Sequence, residues 1–177
     1  MALKRNKPVF VRFAVLITVI LVLAVLIKPS LLFVIRNCKT NTVLFSANVK
    51  EGYEFVTAIK HSVQKTPVYE YYRVQKDGSL LVTATVLQDL GWGMPSNLSN
   101  TVIFSDNYMV MKNINRPLRK LLFRVNYIAK PQIILEGYNV SLDLYARDGD
   151  LIEFSAVKLP WIVSRLRSGI NVFKEES

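Results

Sequence analysis

Residues 68–74 read Val-Tyr-Glu-Tyr-Tyr-Arg-Val. β-branched and aromatic side chains dominate this run, which suits a pleated, half-buried surface. Lys65-Thr66-Pro67 marks a turn before it and Asp77-Gly78 a turn after it. Working outward, the same pattern repeats. Candidate strands cover 31–36, 42–48, 53–60, 68–75, 79–87, 102–105, 108–112, 120–128, 132–136, 139–146 and 151–157. Further turns fall at Glu51-Gly52, Asp106-Asn107, Glu136-Gly137 and Asp148-Gly149. Strands recur about every ten residues with no long helical pattern between them. The reading is an all-β domain over residues 31–157, an antiparallel β-sandwich or barrel-like arrangement large enough for its own core.

The N-terminus differs in kind. Residues 13–27 read FAVLITVILVLAVLI without a charge. Extended to Val9, the run is interrupted only by Arg12, which can snorkel to headgroups. Such a helix spans about 28 Å, near the hydrocarbon thickness. Lys28-Pro29-Ser30 ends it. A cleavable signal would need small residues just after the run, and Lys28-Pro29-Ser30-Leu31-Leu32 fits that poorly. The expectation is a short basic cytoplasmic tail (1–8) and an uncleaved transmembrane anchor (9–28). The β-domain then lies outside the inner or plasma membrane. Four basic residues before the span against Lys28, Arg36 and Lys39 after it set that orientation.

Charge supports this division. The net +10 is concentrated in residues 1–50, which hold eight Lys/Arg and no acid. A nucleic-acid binder would carry its excess on the folded domain, so nucleic acid is excluded as a partner. Cys38 is the only cysteine, so no intrachain disulfide forms. Ile35-Arg36-Asn37 before it does not suit lipid attachment. Residues 158–177 form a C-terminal segment. Residues 161–167 fit one or two helical turns, either resting on the bilayer surface through Trp161, Arg165 and Arg167 or, as favoured here, packing Trp161 and Leu166 on the sandwich. Residues 173–177 read as a polar tail.

The chain's one histidine sits in KHSVQKTPVYE, residues 60–70. As a hairpin, this stretch sets His61 roughly opposite Val68 and makes Glu70 its diagonal neighbour. A His61–Glu70 bond would then fix the register or help bind a partner. Ser62, His61 and Glu70 resemble a nucleophile, base and orienting group. However, adjacent strand residues face opposite ways, and no glycine-rich elbow surrounds Ser62. One His without a second Cys leaves too few ligands for zinc, so no metal and no cofactor are expected.

Leu90-Gly91-Trp92-Gly93-Met94-Pro95 is a second candidate. Gly91 and Gly93 permit close backbone approach, and Trp92 suits either a loop cap or an exposed anchor. Residues 111–120 read as a basic connector. With Arg124 they make a patch of Lys112, Arg116, Arg119, Lys120 and Arg124, with no acid between Asp106 and Glu136. The patch is either a solvated face or a contact for carboxylates, acidic proteins or anionic lipid.

The run from His61 through Ser62, Lys65, Thr66 and Pro67 to Glu70 resembles the signature of the prokaryotic domain-of-unknown-function family 1850. Gly52-Tyr53-Glu54-Phe55 resembles its lead-in, and Gly91-Trp92-Gly93-Met94-Pro95 its Gly-x-Gly-x-Pro loop. The resemblance covers roughly residues 40–155. It implies a small membrane-anchored accessory protein linked to tripartite ATP-independent periplasmic transporters with a TAXI-class solute-binding protein, and it brings no catalytic residues.

The expected function is therefore a non-enzymatic accessory protein of a secondary, organic-acid type solute transporter. Its expected partners are the membrane, a permease and a solute-binding protein. Two alternatives stay open: an extracytoplasmic hydrolase using His61 with Ser62 or Glu70, and a free-standing envelope ligand-binding domain with an unknown small ligand.

Overall fold

The run that reads as a strand is β4 (Pro67–Val74). Val68, Tyr72 and Val74 are buried on one face, while Tyr71 and Arg73 face solvent on the other. The structure is a computed structural model and describes residues 7–61, 65–88, 101–105 and 108–174, with 7–10, 101, 105 and 174 as backbone only.

Helix α1 (Lys7–Leu26) leads into β1 (Pro29–Asn37), β2 (Thr42–Val49), β3 (Glu54–Lys60), β4 and β5 (Leu80–Leu87). There follow β6 (Thr101–Ser105), β7 (Tyr108–Leu118), β8 (Leu121–Arg124), β9 (Gln132–Leu135), β10 (Tyr138–Ser141), β11 (Leu151–Pro160) and helix α2 (Trp161–Arg167). All paired strands are antiparallel. They form two sheets, ordered β2-β1-β11-β8 and β10-β9-β3-β4-β5-β7-β6. Of the two expected architectures, the sandwich is the one present.

The sheets share one core. Phe33, Ile35, Ile152 and Phe154 of the smaller sheet meet Phe55, Tyr72, Val82 and Ile133 of the larger one. Phe55 is the join. Its ring stacks on Tyr72 at 4.9 Å and on Phe154, across the sandwich, at 5.5 Å. Such pairs add roughly 0.5–1.5 kcal/mol each beyond area burial. A separate cluster of Val68, Leu87 and Met109 lies at the other end of β4, β5 and β7.

Three strand expectations change. β7 continues to Leu118, so the expected basic connector is largely strand. The ladder jumps from Ala84–Lys112 to Val82–Arg116, and Asn113 (φ 59°) and Asn115 (φ 50°) take left-handed geometry there. Asn tolerates that region, so the bulge absorbs the extra residues and pairing resumes. Expected strand 120–128 shortens to β8, because Asn126 accepts from Ile128 N–H at 2.9 Å and caps a 3₁₀ turn. Expected strand 139–146 shortens to β10 before a second 3₁₀ turn.

The C-terminal expectations change too. Helix α2 exists, but Trp161 (41 % exposed) and Leu166 (79 %) are not packed on the sandwich. Ser164 is its buried residue, and its hydroxyl bonds Asn48 Oδ1. The tail is not wholly polar. Phe173 is buried against Phe45 at 6.3 Å and Tyr145 at 5.0 Å. Ser46 holds the approach to it, exchanging backbone bonds with Gly169 and Ile170.

Helix α1 has side chains described from Val11 onward, a length of about 24 Å. Among the described residues no helix is long and apolar enough to cross a membrane. The apolar side chains of α1 are nonetheless exposed all round, Phe13 at 63 % and Leu21 at 61 %. At the exit of α1, Lys28 carbonyl accepts from Trp161 N–H at 2.8 Å, so α2 starts where α1 ends.

Candidate functional site

The hairpin carrying the histidine closes differently from expectation. Lys60 pairs with Pro67 and Ile59 with Val68. His61 N–H donates to Thr66 carbonyl at 2.7 Å, and Lys65 N–H donates to His61 carbonyl at 3.0 Å. Lys65 is left-handed (φ 60°), which reverses the chain early enough to shift the register by two residues. Glu70 therefore sits opposite Thr57, and roughly 14 Å of strand separates its position from that of His61. The diagonal relation of His61 to Glu70 is lost, and with it the orienting carboxylate of the hydrolase reading. Ser62, Gly91, Trp92, Gly93 and Pro95 lie outside the described residues.

Glu70 belongs to a different set of groups. Glu70 and Tyr72 face inward from β4, flanked by the buried Thr57 of β3 and Thr85 of β5. Tyr72 Oη donates to Glu70 Oε2 at 2.7 Å. Burial, then the neighbouring Glu70 charge, holds the Tyr72 proton well above the ordinary phenol range; the Thr57 hydrogen bond and the Arg116 guanidinium act weakly against this.

The outer face of the same hairpin holds a cleft of about 200 Å³. Its floor arises from side-chain size: Ala58 lies in register between Gln132 of β9 and Tyr69 of β4. A methyl between two long side chains leaves a dip. Lys60 and Pro67 close one side, and Lys65 and Lys130 also line it. Gln132 Oε1 accepts from Asn139 Nδ2 at 3.3 Å. Of the expected motif residues, Lys65 and Pro67 thus meet here, with Thr66 holding the turn beside them.

The expected basic patch is dispersed. Lys112 and Arg116 stand on β7 at either side of the bulge, and Arg119 is in the turn after it. Lys120 Nζ reaches Glu153 Oε2 at 2.8 Å, and Arg124 Nη1 donates to Gly149 carbonyl at 3.0 Å. Arg36 also grips Glu153, at 2.9 Å. The Lys120 and Arg36 hydrogen bonds together hold the nearly buried Glu153 carboxyl below its ordinary value.

A second cleft, of about 470 Å³, lies between the β1–β2 turn and residues 143–150. Asp150 on its wall is buried. Its Oδ2 accepts from Asn37 Nδ2 at 2.8 Å and Arg147 N–H at 3.1 Å, which lowers its pKa, and Lys39 Nζ sits 3.4 Å from Oδ1. These contacts tie β1 to the turn before β11 and give the site a structural character. Among the described residues no cluster of His, Cys, Asp and Glu is arranged to hold a metal.

Residues 55–142 match the model of the family described as Domain of unknown function (DUF1850). The chain belongs to the DUF1850 family. No curated protein and no solved structure matches it. The DUF1850 match is narrower than the resemblance expected over 40–155. It runs from Phe55 on β3 to Leu142 after β10, and so includes both the Glu70–Tyr72 pair and the lysine cleft. It leaves out β1, β2 and β11, which complete the smaller sheet.

Lys60, Lys130, Tyr72 and Asp150 were not singled out in the sequence. Lys130 reaches the cleft only through the β3–β9 pairing, whose rung joins Ala58 to Gln132, 74 positions further along the chain, and no local pattern announces that pairing. The Tyr72–Glu70 spacing of two in a strand was a readable signal.

Proposed function

We propose that this DUF1850 protein is a non-enzymatic, single-pass membrane accessory protein of a secondary, organic-acid type solute transporter. In this reading α1 lies in the inner or plasma membrane with its N-terminus in the cytoplasm. The sandwich stands on the extracytoplasmic side and meets the permease and the solute-binding protein.

The observation that carries the reading is the exposure of α1. Eleven large apolar side chains of the helix, from Val11 to Val25, are open to the surroundings. Leaving them in water forgoes on the order of 20 kcal/mol. A helix apolar on all faces belongs in lipid or in a protein core. Exposed Trp161, Arg165 and Leu166 beside its exit suit the headgroup region. For partner contact, the matched region offers β6, at the end of the larger sheet, with Ile103 and Phe104 (65 %) exposed.

The test is affinity purification from native membranes in mild detergent, with partners identified by mass spectrometry. Wild type is expected to bring down a permease and a solute-binding protein, and Phe104→Ser to lose the latter. A chain released by alkaline carbonate, or retained in membranes without transporter components, would overturn the reading.

A further inference from the structure

We propose that the cleft on the outer face of the β3–β4 hairpin binds a small organic anion carrying two or more carboxylates. This goes beyond the transporter reading and does not depend on any partner.

Three lysines line a space of about 200 Å³, and among the described residues no acidic one lines it with them. Like charges around one small space repel, and an anion of two or more charges relieves that repulsion. The backbone gives a second, separate indication. Lys65 (φ 60°) and Lys130 (φ 45°) are both left-handed. That geometry disfavours a lysine by roughly 1–2 kcal/mol, whereas Gly or Asn would make either turn more easily. Elsewhere among the described residues Asn41, Asn113 and Asn115 fill such positions, and Glu136 (φ 49°) is the one other residue that is neither Asn nor Gly. Two lysines kept in strained geometry around one cleft point to a use for the ammonium groups rather than for the turns.

The remaining lining defines the ligand. Ala58 and Pro67 present an apolar floor and Tyr69 an aromatic wall. A fully hydrated inorganic ion gains little from these surfaces, whereas the carbon body of an organic acid fits them. Gln132 has its amide oxygen engaged by Asn139, which leaves its Nε2 as a neutral donor.

The test uses the full chain purified in neutral detergent, titrated calorimetrically with succinate, citrate and inorganic phosphate. Succinate and citrate are expected to bind saturably, citrate more tightly, with affinity falling as NaCl is raised. Lys65→Asn and Lys130→Asn, which suit the left-handed turns, are each expected to weaken citrate at least tenfold without lowering the thermal midpoint. Lys60→Gln, on regular strand, is expected to do the same and covers the case in which a turn variant misfolds. Lys76→Asn, at the far end of β4, is expected to change nothing. Absence of saturable binding, wild-type affinity in all three cleft variants, or phosphate binding as tight as citrate would overturn the assignment. Loss of the transporter association would leave this result untouched.

Discussion

Tyr72 Oη donates a 2.7 Å hydrogen bond to Glu70 Oε2, two residues back on the same face of β4. The bond places a carboxylate at the edge of the aromatic core and makes a buried phenol the donor that holds it there. Tyr72→Phe removes that donor while keeping the ring stacked on Phe55. The expected cost is about 1–2 kcal/mol, read as a shift in the urea midpoint at pH 7 with unchanged slope. Tyr72 has a raised pKa in the fold. Its contribution is therefore complete below the unfolded value of about 10 and is lost as pH rises beyond it. The variant should lose less stability than wild type between pH 9 and pH 11.

Tyr53 gives the opposite expectation at neutral pH. Its hydroxyl is buried without a hydrogen-bond partner among the described residues, and burial raises its pKa, with Glu136 adding to the effect. The ring packs 5.4 Å from Phe33, and phenylalanine would keep that contact. Tyr53→Phe is expected to stabilise the fold by about 1 kcal/mol in the same urea titration, since an unsatisfied group is removed. A loss of stability would mean that this hydroxyl is satisfied in solution.

Glu153 governs the acid side. Lys120 and Arg36 hold its carboxyl below the ordinary value, so its contribution is present above the unfolded pKa of about 4.3 and disappears as pH falls through the folded one. Glu153→Gln keeps the shape and removes the charge. Both cationic partners are partly solvated, which limits the expected cost to about 1–2 kcal/mol at pH 7. The difference from wild type should shrink as pH falls below about 4.3 and vanish once the folded carboxyl is protonated. A difference that does not change with pH across the acid range would assign the effect to packing.

Two glycines with similar backbone angles should respond unequally. A Cβ on Gly78 (φ 91°) would stand 2.7 Å from the Ala156 carbonyl oxygen, whereas one on Gly52 (φ 89°) meets nothing within 4 Å. Gly52→Ala carries only the left-handed penalty of about 1 kcal/mol. Gly78→Ala must also move β11, and about 3 kcal/mol is expected. Thermal unfolding of the two variants side by side measures the difference.

Much of the fold could be read locally. Alternation in residues 68–74, the Asp77-Gly78 turn and the ten-residue strand spacing are near-neighbour properties, and each sets a strand or a reversal. The same reading failed where one residue's backbone geometry decided the outcome. Left-handed Lys65 moved the hairpin by two residues and parted His61 from Glu70. Left-handed Asn113 and Asn115 carried β7 through the expected connector.

The sequence by itself determined the all-β class, the apolar N-terminal helix and the concentration of positive charge before residue 51, because composition and periodicity act over a few residues. Tertiary structure alone decided which groups share a site. β9 pairs with β3 across more than seventy positions of chain, which brings Gln132 beside Ala58 and sets Lys130 on the same cleft as Lys60 and Lys65. Phe173 likewise becomes core only when the tail crosses β2. Such contacts depend on how two sheets close over one another, and that closure leaves no local trace in the residues it joins.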